Sequence, residues 1–122
     1  MNRKLVVLES PYAGDLDRNK RYLRACLFES ILHRYESPYA SHAIYPAVLK
    51  DNFENERDLG IAMGFAWGEP AECVIFCIDL GWSRGMISAL DYWRERGKPV
   101  FRRALGVPWS NFEPVACGEI GR

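Results

Sequence analysis

The chain lacks any excess of charge. Lysine plus arginine is 16 and aspartate plus glutamate is 16. The balance holds by halves too, nine of each sign through Asp58 and seven of each after it. A duplex-binding surface needs surplus cations to replace the condensed counterions of phosphate, so a nucleic acid polymer is not an expected partner. Long apolar runs are missing as well. None approaches the ~20 residues of a membrane span, which argues against a membrane role. Only four apolar residues follow the amino-terminal charges, too few for a secretory leader. The expected location is the cytoplasm.

Metal and phosphate motifs are equally scarce. The four cysteines, at 26, 73, 77 and 117, form no CxxC, and the only histidines are His33 and His42. A zinc site would need an unusual ligand set. The expectation is buried free thiols, no metal and no cofactor. There is no GK[ST] phosphate loop and no GxGxxG turn. Ser30 and Ser110 have no visible base, so a serine triad is not arguable. Repeats and low-complexity segments are absent.

What is present is a single globular domain. The 122 residues are 48% apolar and 13% aromatic, enough to offset ordering entropy around one core. Strand and helix patterns alternate. Residues 4–8 (KLVVL) and 73–78 (CVIFCI) are near-continuous apolar runs, as strands covered on both faces require. Asp15 or Asp17 caps a helix to about Tyr35, with Leu23, Cys26, Leu27 and Ile31 at helical spacing. Residues 39–45 read as a second strand, closed by Pro46. A second helix covers about 53–67, with Leu59, Met63, Ala66 and Trp67 as its buried stripe. Ser83 caps a third helix through Arg96, with Met86, Leu90 and Trp93 inward. Residues 100–102 form another strand. Residues 104–122 are an edge strand near Val115 or a tail. This alternation predicts an α/β fold, a parallel sheet with helices on both faces.

In such sheets ligands bind beyond the carboxyl ends of the strands, which directs attention to two corners. In Glu9-Ser10-Pro11-Tyr12-Ala13-Gly14-Asp15, Ser10 offers a hydroxyl, Tyr12 a flat ring and phenol, and Asp15 a helix start. In Asp79-Leu80-Gly81-Trp82-Ser83-Arg84-Gly85-Met86, Gly81 and Gly85 permit close backbone approach. There Ser83 suits a phosphate or ribose hydroxyl and Asp79 a sugar diol, and Arg84 and Met86 complete the corner. Plain turn and cap chemistry would also explain both segments. Glu56, Gly60, Gly64 and Gly68 recur every four residues, a smooth helical face better suited to close packing than to ligand contact. Glu56 heads that face and can reach into a cleft. His42 is a candidate contact to a base or phosphate. His33 reads as a surface residue near a helix end.

Together the corners resemble the nucleoside 2-deoxyribosyltransferase-like superfamily. The resemblance covers residues 4 to about 103. It rests on Leu8-Glu9-Ser10-Pro11-Tyr12, the buried strand with its Gly-centred turn into a helix, and Gly97-Lys98-Pro99-Val100. It implies a Rossmann-like (flavodoxin-like) sheet of four to five strands, a nucleoside or nucleotide ligand, and a homo-oligomer. The transferases place a nucleophilic glutamate four residues after the Gly of that turn. Counted from Gly85, the position is Ala89, which cannot attack a sugar carbon.

Two function classes follow. A binding module would hold a nucleotide-derived metabolite, ADP-ribose-like or a cyclic signal, as a small phage protein in the host cytoplasm sequestering an immune signal would. An enzyme acting on an N-glycosidic bond, as transferase or hydrolase, would need Glu9 or Asp79 as nucleophile or general base. A third reading is an interaction protein with a vestigial pocket and a glycine-rich interface. Trp109 and Phe112 are expected to be exposed aromatics that favour assembly.

Overall fold

The computed structural model describes residues 2–50, 52–106 and 109. Four strands, β1 (Lys4–Glu9), β2 (Glu36–Tyr39), β3 (Cys73–Cys77) and β4 (Val100–Arg103), form one parallel sheet in the order β2-β1-β3-β4. Three helices connect them: α1 (Leu16–Phe28), α2 (Glu54–Gly68) and α3 (Arg84–Glu95). The fold is Rossmann-like α/β, as expected. The edge strand expected near Val115 lies outside the described residues, as do Ser110, Phe112 and Cys117.

Side chains alternate across the strands, so each central strand feeds two cores. Val6, Leu8, Cys73, Ile75 and Cys77 meet Tyr22, Leu23 and Cys26 of α1 on one face. Val7, Val74 and Phe76 meet Met86, Ala89 and Trp93 of α3 on the other, with Phe65 of α2 beside them. The chain therefore leaves β1 to one side for β2 and crosses back to the other side for β3. The topological switch point falls between β1 and β3. Cys26, Cys73 and Cys77 are free and buried.

Gly14, at φ +100°, turns the chain into α1, and the Asp15 carboxylate accepts from the Arg18 amide at 3.1 Å as the cap. The helix continues as a π-helical turn, Glu29–His33. Its wider winding rotates the apolar stripe, so Leu23 and Cys26 are buried but Ile31 is exposed. His33 is exposed there, 2.7 Å from Glu29.

Two sequence expectations fail. The second strand is Glu36–Tyr39, not 39–45, and it pairs with Lys4 through Val7 of β1. Pro38 is accommodated because β2 is an edge strand. Residues 41–47 instead make two short 3-10 turns, Ser41–Ala43 and Tyr45–Ala47. The second failure is the stripe of α2. Leu59 and Trp67 are 52% and 66% exposed, while Gly64 and Gly68 are buried. A Cβ on Gly68 would lie 2.6 Å from the Trp93 ring, and one on Gly64 2.7 Å from the Ser41 Cβ. The helix lies down on its side-chain-free face, where its backbone comes closest, and the neighbouring apolar stripe turns outward.

The Gly-Lys-Pro-Val segment has a mechanical reason. Lys98 Nζ donates to the carbonyls of Gly68, Glu69 and Ala71, at 3.2, 2.7 and 2.7 Å. The ammonium thus closes the carboxyl end of α2, where carbonyls lack helical partners and the dipole favours a cation. Among the described residues, no helix is long and apolar enough to cross a membrane.

Candidate functional site

All four strands end at the same edge of the sheet, so the corners after β1 and β3 leave side by side at the switch point. Glu9 is the last residue of β1 and is in register with Phe76. By alternation its side chain faces the α2/α3 side. Trp82 covers Phe76, with ring centroids 5.1 Å apart. Glu9 is half-buried, and its carboxylate has no hydrogen-bond or ion-pair partner among the described residues. Burial alone pushes its carboxyl up to about 7, because protein walls replace the water that would stabilise the anion.

Next to it the Ser10 hydroxyl is 2.7 Å from His42 Nε2. Ser10 is buried and His42 half-buried. Burial pushes the His42 imidazole down to about 4, so the ring is neutral at pH 7 and offers one donor and one acceptor. The placement of His42 depends on Gly64. That glycine lets the turn carrying Ser41 touch α2, and His42 follows directly. The stripe predicted for packing is used inside the chain, and it positions a residue of the site.

The second corner contributes differently. Ser83 caps α3, its hydroxyl accepting from the Met86 amide at 3.2 Å. Met86 is 1% exposed and belongs to the core. Arg84 and Gly85 are exposed at the helix start, where unpaired amides favour an anion. Gly81 turns the corner at φ +86°. Asp15 already supplies a carboxylate to the start of α1, so that end is neutralised by the chain itself. Tyr12 is half-buried on the loop. Glu56 Oε1 accepts from the Lys50 amide at 3.1 Å, which ties a loop rather than reaching into the cleft.

Asp79 parts company with Glu9. Its carboxylate accepts from the Tyr22 hydroxyl at 2.5 Å, from the Leu105 amide at 2.9 Å and from the Gly106 amide at 3.3 Å. Tyr22 belongs to the α1 core, so Asp79 turns to the opposite face of the sheet and is fully engaged there. Trp109 stands edge-on to Tyr22 with centroids 5.1 Å apart. It is half-buried, not exposed as expected. Ala89, the position a family nucleophile would hold, is 4% exposed in the α3 core.

Asn19 is the contributor that sequence reasoning missed. Asn19 is 3% exposed and donates from Nδ2 to the carbonyls of Tyr12 and Ala13, both at 3.0 Å. An asparagine one turn after an Asp cap was the available signal.

The chemistry on offer is limited and specific. Ser10 with a neutral histidine resembles an acyl-transfer pair, but the next residue is Pro11, which has no N–H to stabilise an oxyanion. Glu9 and Asp79 form no carboxylate pair. Burial drives the shifts at both Glu9 and His42, and among the described residues neither makes an ion pair. A donor-rich, uncharged group fits that end, and any phosphate belongs toward Arg84. A cavity of about 400 Å³ opens elsewhere, lined by residues that include Lys4, Arg34, Glu36, Ile75 and Arg103. Three of its five charged lining residues are already paired, Arg103 with Glu36 and Arg34 with Glu29. It holds none of the predicted residues, and the switch point remains the candidate. No group of three or more His, Cys, Asp or Glu among the described residues is placed to hold a metal ion.

Residues 4–103 match the family described as Domain of unknown function (DUF7768), and the chain belongs to that family. No curated protein and no solved structure matches it.

Proposed function

We propose that this member of the family binds a nucleoside or a nucleotide-derived metabolite in the cleft at the switch point between β1 and β3. The observation that carries the reading is Glu9, a half-buried carboxyl at the end of β1 with no hydrogen-bond or ion-pair partner among the described residues, next in the chain to Ser10 and its contact with His42. Left alone it is costly, and a ligand that supplies donors relieves the cost. A ribose diol or a base N–H supplies them, and Tyr12 and Trp82 offer flat surfaces to a ring. The likeness of the two corners to deoxyribosyltransferases supports the same ligand class. With Ala89 in the nucleophile position, the ligand is held and not cut. A phage protein that sequesters a host nucleotide signal would need no more than this. The exposed Leu59 and Trp67 on α2 are the face offered to a second copy in a homo-oligomer.

The test is incubation of the protein with a panel of nucleosides, nucleotides and ADP-ribose, followed by heat release and chromatography. An intact ligand recovered in stoichiometric amount supports the reading, and a free base overturns it. One observation favours a second reading, an enzyme acting on an N-glycosidic bond. A carboxyl near pH 7 suits a general acid or base. Free base that disappears in Glu9→Gln would establish that alternative. Absence of any thermal shift across the panel would leave an interaction protein.

A further inference from the structure

We propose that Asn19 is a positioning residue for the cleft, fixing the Ser10–Asp15 corner in the shape that receives the ligand. The inference rests on the binding reading above, but part of it stands without that reading. The corner has few internal restraints. Pro11 has no N–H, and Gly14 sits at φ +100°, open to many conformations in the unfolded chain. The carbonyls of Tyr12 and Ala13 would face water or nothing. Asn19 supplies both with a donor at 3.0 Å from a single Nδ2. Its own backbone N–H donates to the Asp15 carbonyl at 2.9 Å, so the side chain is anchored on the first turn of α1. Asp15 caps the same turn. The corner is therefore clamped at Tyr12, Ala13 and Asp15 by one helix start.

A second feature sets Asn19 apart from a plain structural clamp. Its Oδ1 is buried and has no hydrogen-bond partner among the described residues. An unpaired buried acceptor is costly, and a side chain selected only for stability would not need to carry one. A serine, with one donor and an adaptable oxygen, would tie a carbonyl without that cost. The planar amide fits because both N–H groups are needed at once, one for each carbonyl. Tyr12 lies on the clamped loop and Ser10 at its start, so moving the Tyr12 carbonyl moves both groups that face the ligand.

Asn19→Asp tests this with little change in volume. A carboxylate opposite two carbonyls repels where the amide attracted. Hydrogen exchange at the Arg18 amide and the amide of residue 19, which both donate to Asp15, is measured without ligand, and affinity for the nucleoside recovered from wild type is measured alongside the melting temperature. The expected result is at least tenfold faster exchange confined to that corner and at least tenfold weaker binding, with strand exchange unchanged. Unchanged exchange at the corner, or a rise spread equally through β1 and β3, overturns the positioning role. Wild-type protein that binds no member of the panel overturns the binding reading alone, because the exchange pattern still decides what Asn19 does. Should Asn19→Asp not fold, Asn19→Ser is read the same way, with the loss of one of two clamps expected to raise corner exchange by a smaller factor.

Discussion

Arg103, on one edge strand of the sheet, grips Glu36, on the opposite edge strand, through two parallel hydrogen bonds of 2.8 Å each. The edges are three strand spacings apart, about 14 Å, so both side chains must extend over the central strands to meet. Ser30 adds a third bond to the Glu36 carboxylate at 2.8 Å. The pair straps the α1 face of the sheet.

Removing one partner leaves the other charged and nearly buried. Arg103→Met is expected to lower stability by about 3–5 kcal/mol, read by urea unfolding at pH 7. The double variant with Glu36→Gln should cost less than Arg103→Met alone, since no orphan anion remains. Burial pushes the Glu36 carboxyl up, but the bonds from Arg103 and Ser30 outweigh it and hold the carboxyl below the ordinary range. That contribution is complete above the unfolded value of 4.5 and is lost as pH falls through the lower folded value. Wild type should therefore lose stability below pH 4.5 faster than the double variant, and equal slopes would refute the coupling.

Glu9 and His42 make opposite demands on pH. Between 4.5 and about 7 the unfolded chain ionises Glu9 before the folded one does, so folding stability falls as pH rises. Between about 4 and 6.5 the unfolded chain protonates His42 first, so stability falls as pH drops. Each shift corresponds to roughly 3–4 kcal/mol when complete. In wild type they largely cancel from pH 4.5 to 6.5. Glu9→Gln should unmask the histidine, giving stability that climbs with pH up to 6.5 and exceeds wild type at pH 8. His42→Gln should unmask the carboxyl, giving stability that declines up to pH 7. Thermal melts from pH 4 to 8 check both, and parallel profiles in all three proteins would contradict the burial of these groups.

The glycines of α2 separate into three cases. A Cβ at Gly60 meets only ordinary contacts, 3.5 Å from Tyr45 and 3.6 Å from Leu49. Gly60→Ala should stabilise by up to ~1 kcal/mol through helix propensity. Gly68→Ala drives a methyl against Trp93, which is 1% exposed and has nowhere to go, and should cost about 1–3 kcal/mol. Gly64→Ala pushes on Ser41 in an open turn. It should cost less stability than Gly68→Ala yet weaken ligand binding, because His42 moves with Ser41. Chemical denaturation of the three variants, with binding measured on Gly64→Ala, tests the order.

These glycines also show where sequence reading succeeds and stops. The four-residue repeat is visible and implies close packing, and packing is what occurs. Which side of α2 goes down is not visible, because Leu59, Met63 and Trp67 present a better apolar stripe than the face that wins. Backbone approach to Trp93 and Ser41 decides it, and both lie far along the chain. β1, β3 and the capped starts of α1 and α3 were legible because their signals are local: apolar runs, Asp15 and Ser83. The Glu36–Arg103 pair and the turning away of Asp79 toward Tyr22 were not, since each joins residues more than fifty positions apart. Glu9 was legible as a candidate by its place after a strand. Its isolation from every partner is a tertiary fact.

Ala89 poses the last question, whether a glutamate at that position could give the chain glycosidic chemistry. The methyl sits among Val7, Val74, Phe76, Met86 and Trp93, all apolar. A glutamate there has neither space nor a partner. Overpacking alone typically costs 1–3 kcal/mol, and an unpaired buried carboxyl adds ~2 kcal/mol or more unless it stays protonated. Ala89→Glu is therefore expected to unfold at markedly lower urea and to release no base from any nucleoside. A stable variant that gains base release would mean that α3 can rotate this position toward the switch point. The packing of Trp93 beneath Gly68 opposes such a rotation, because its indole, carried by α3 itself, is held between α2 and the sheet.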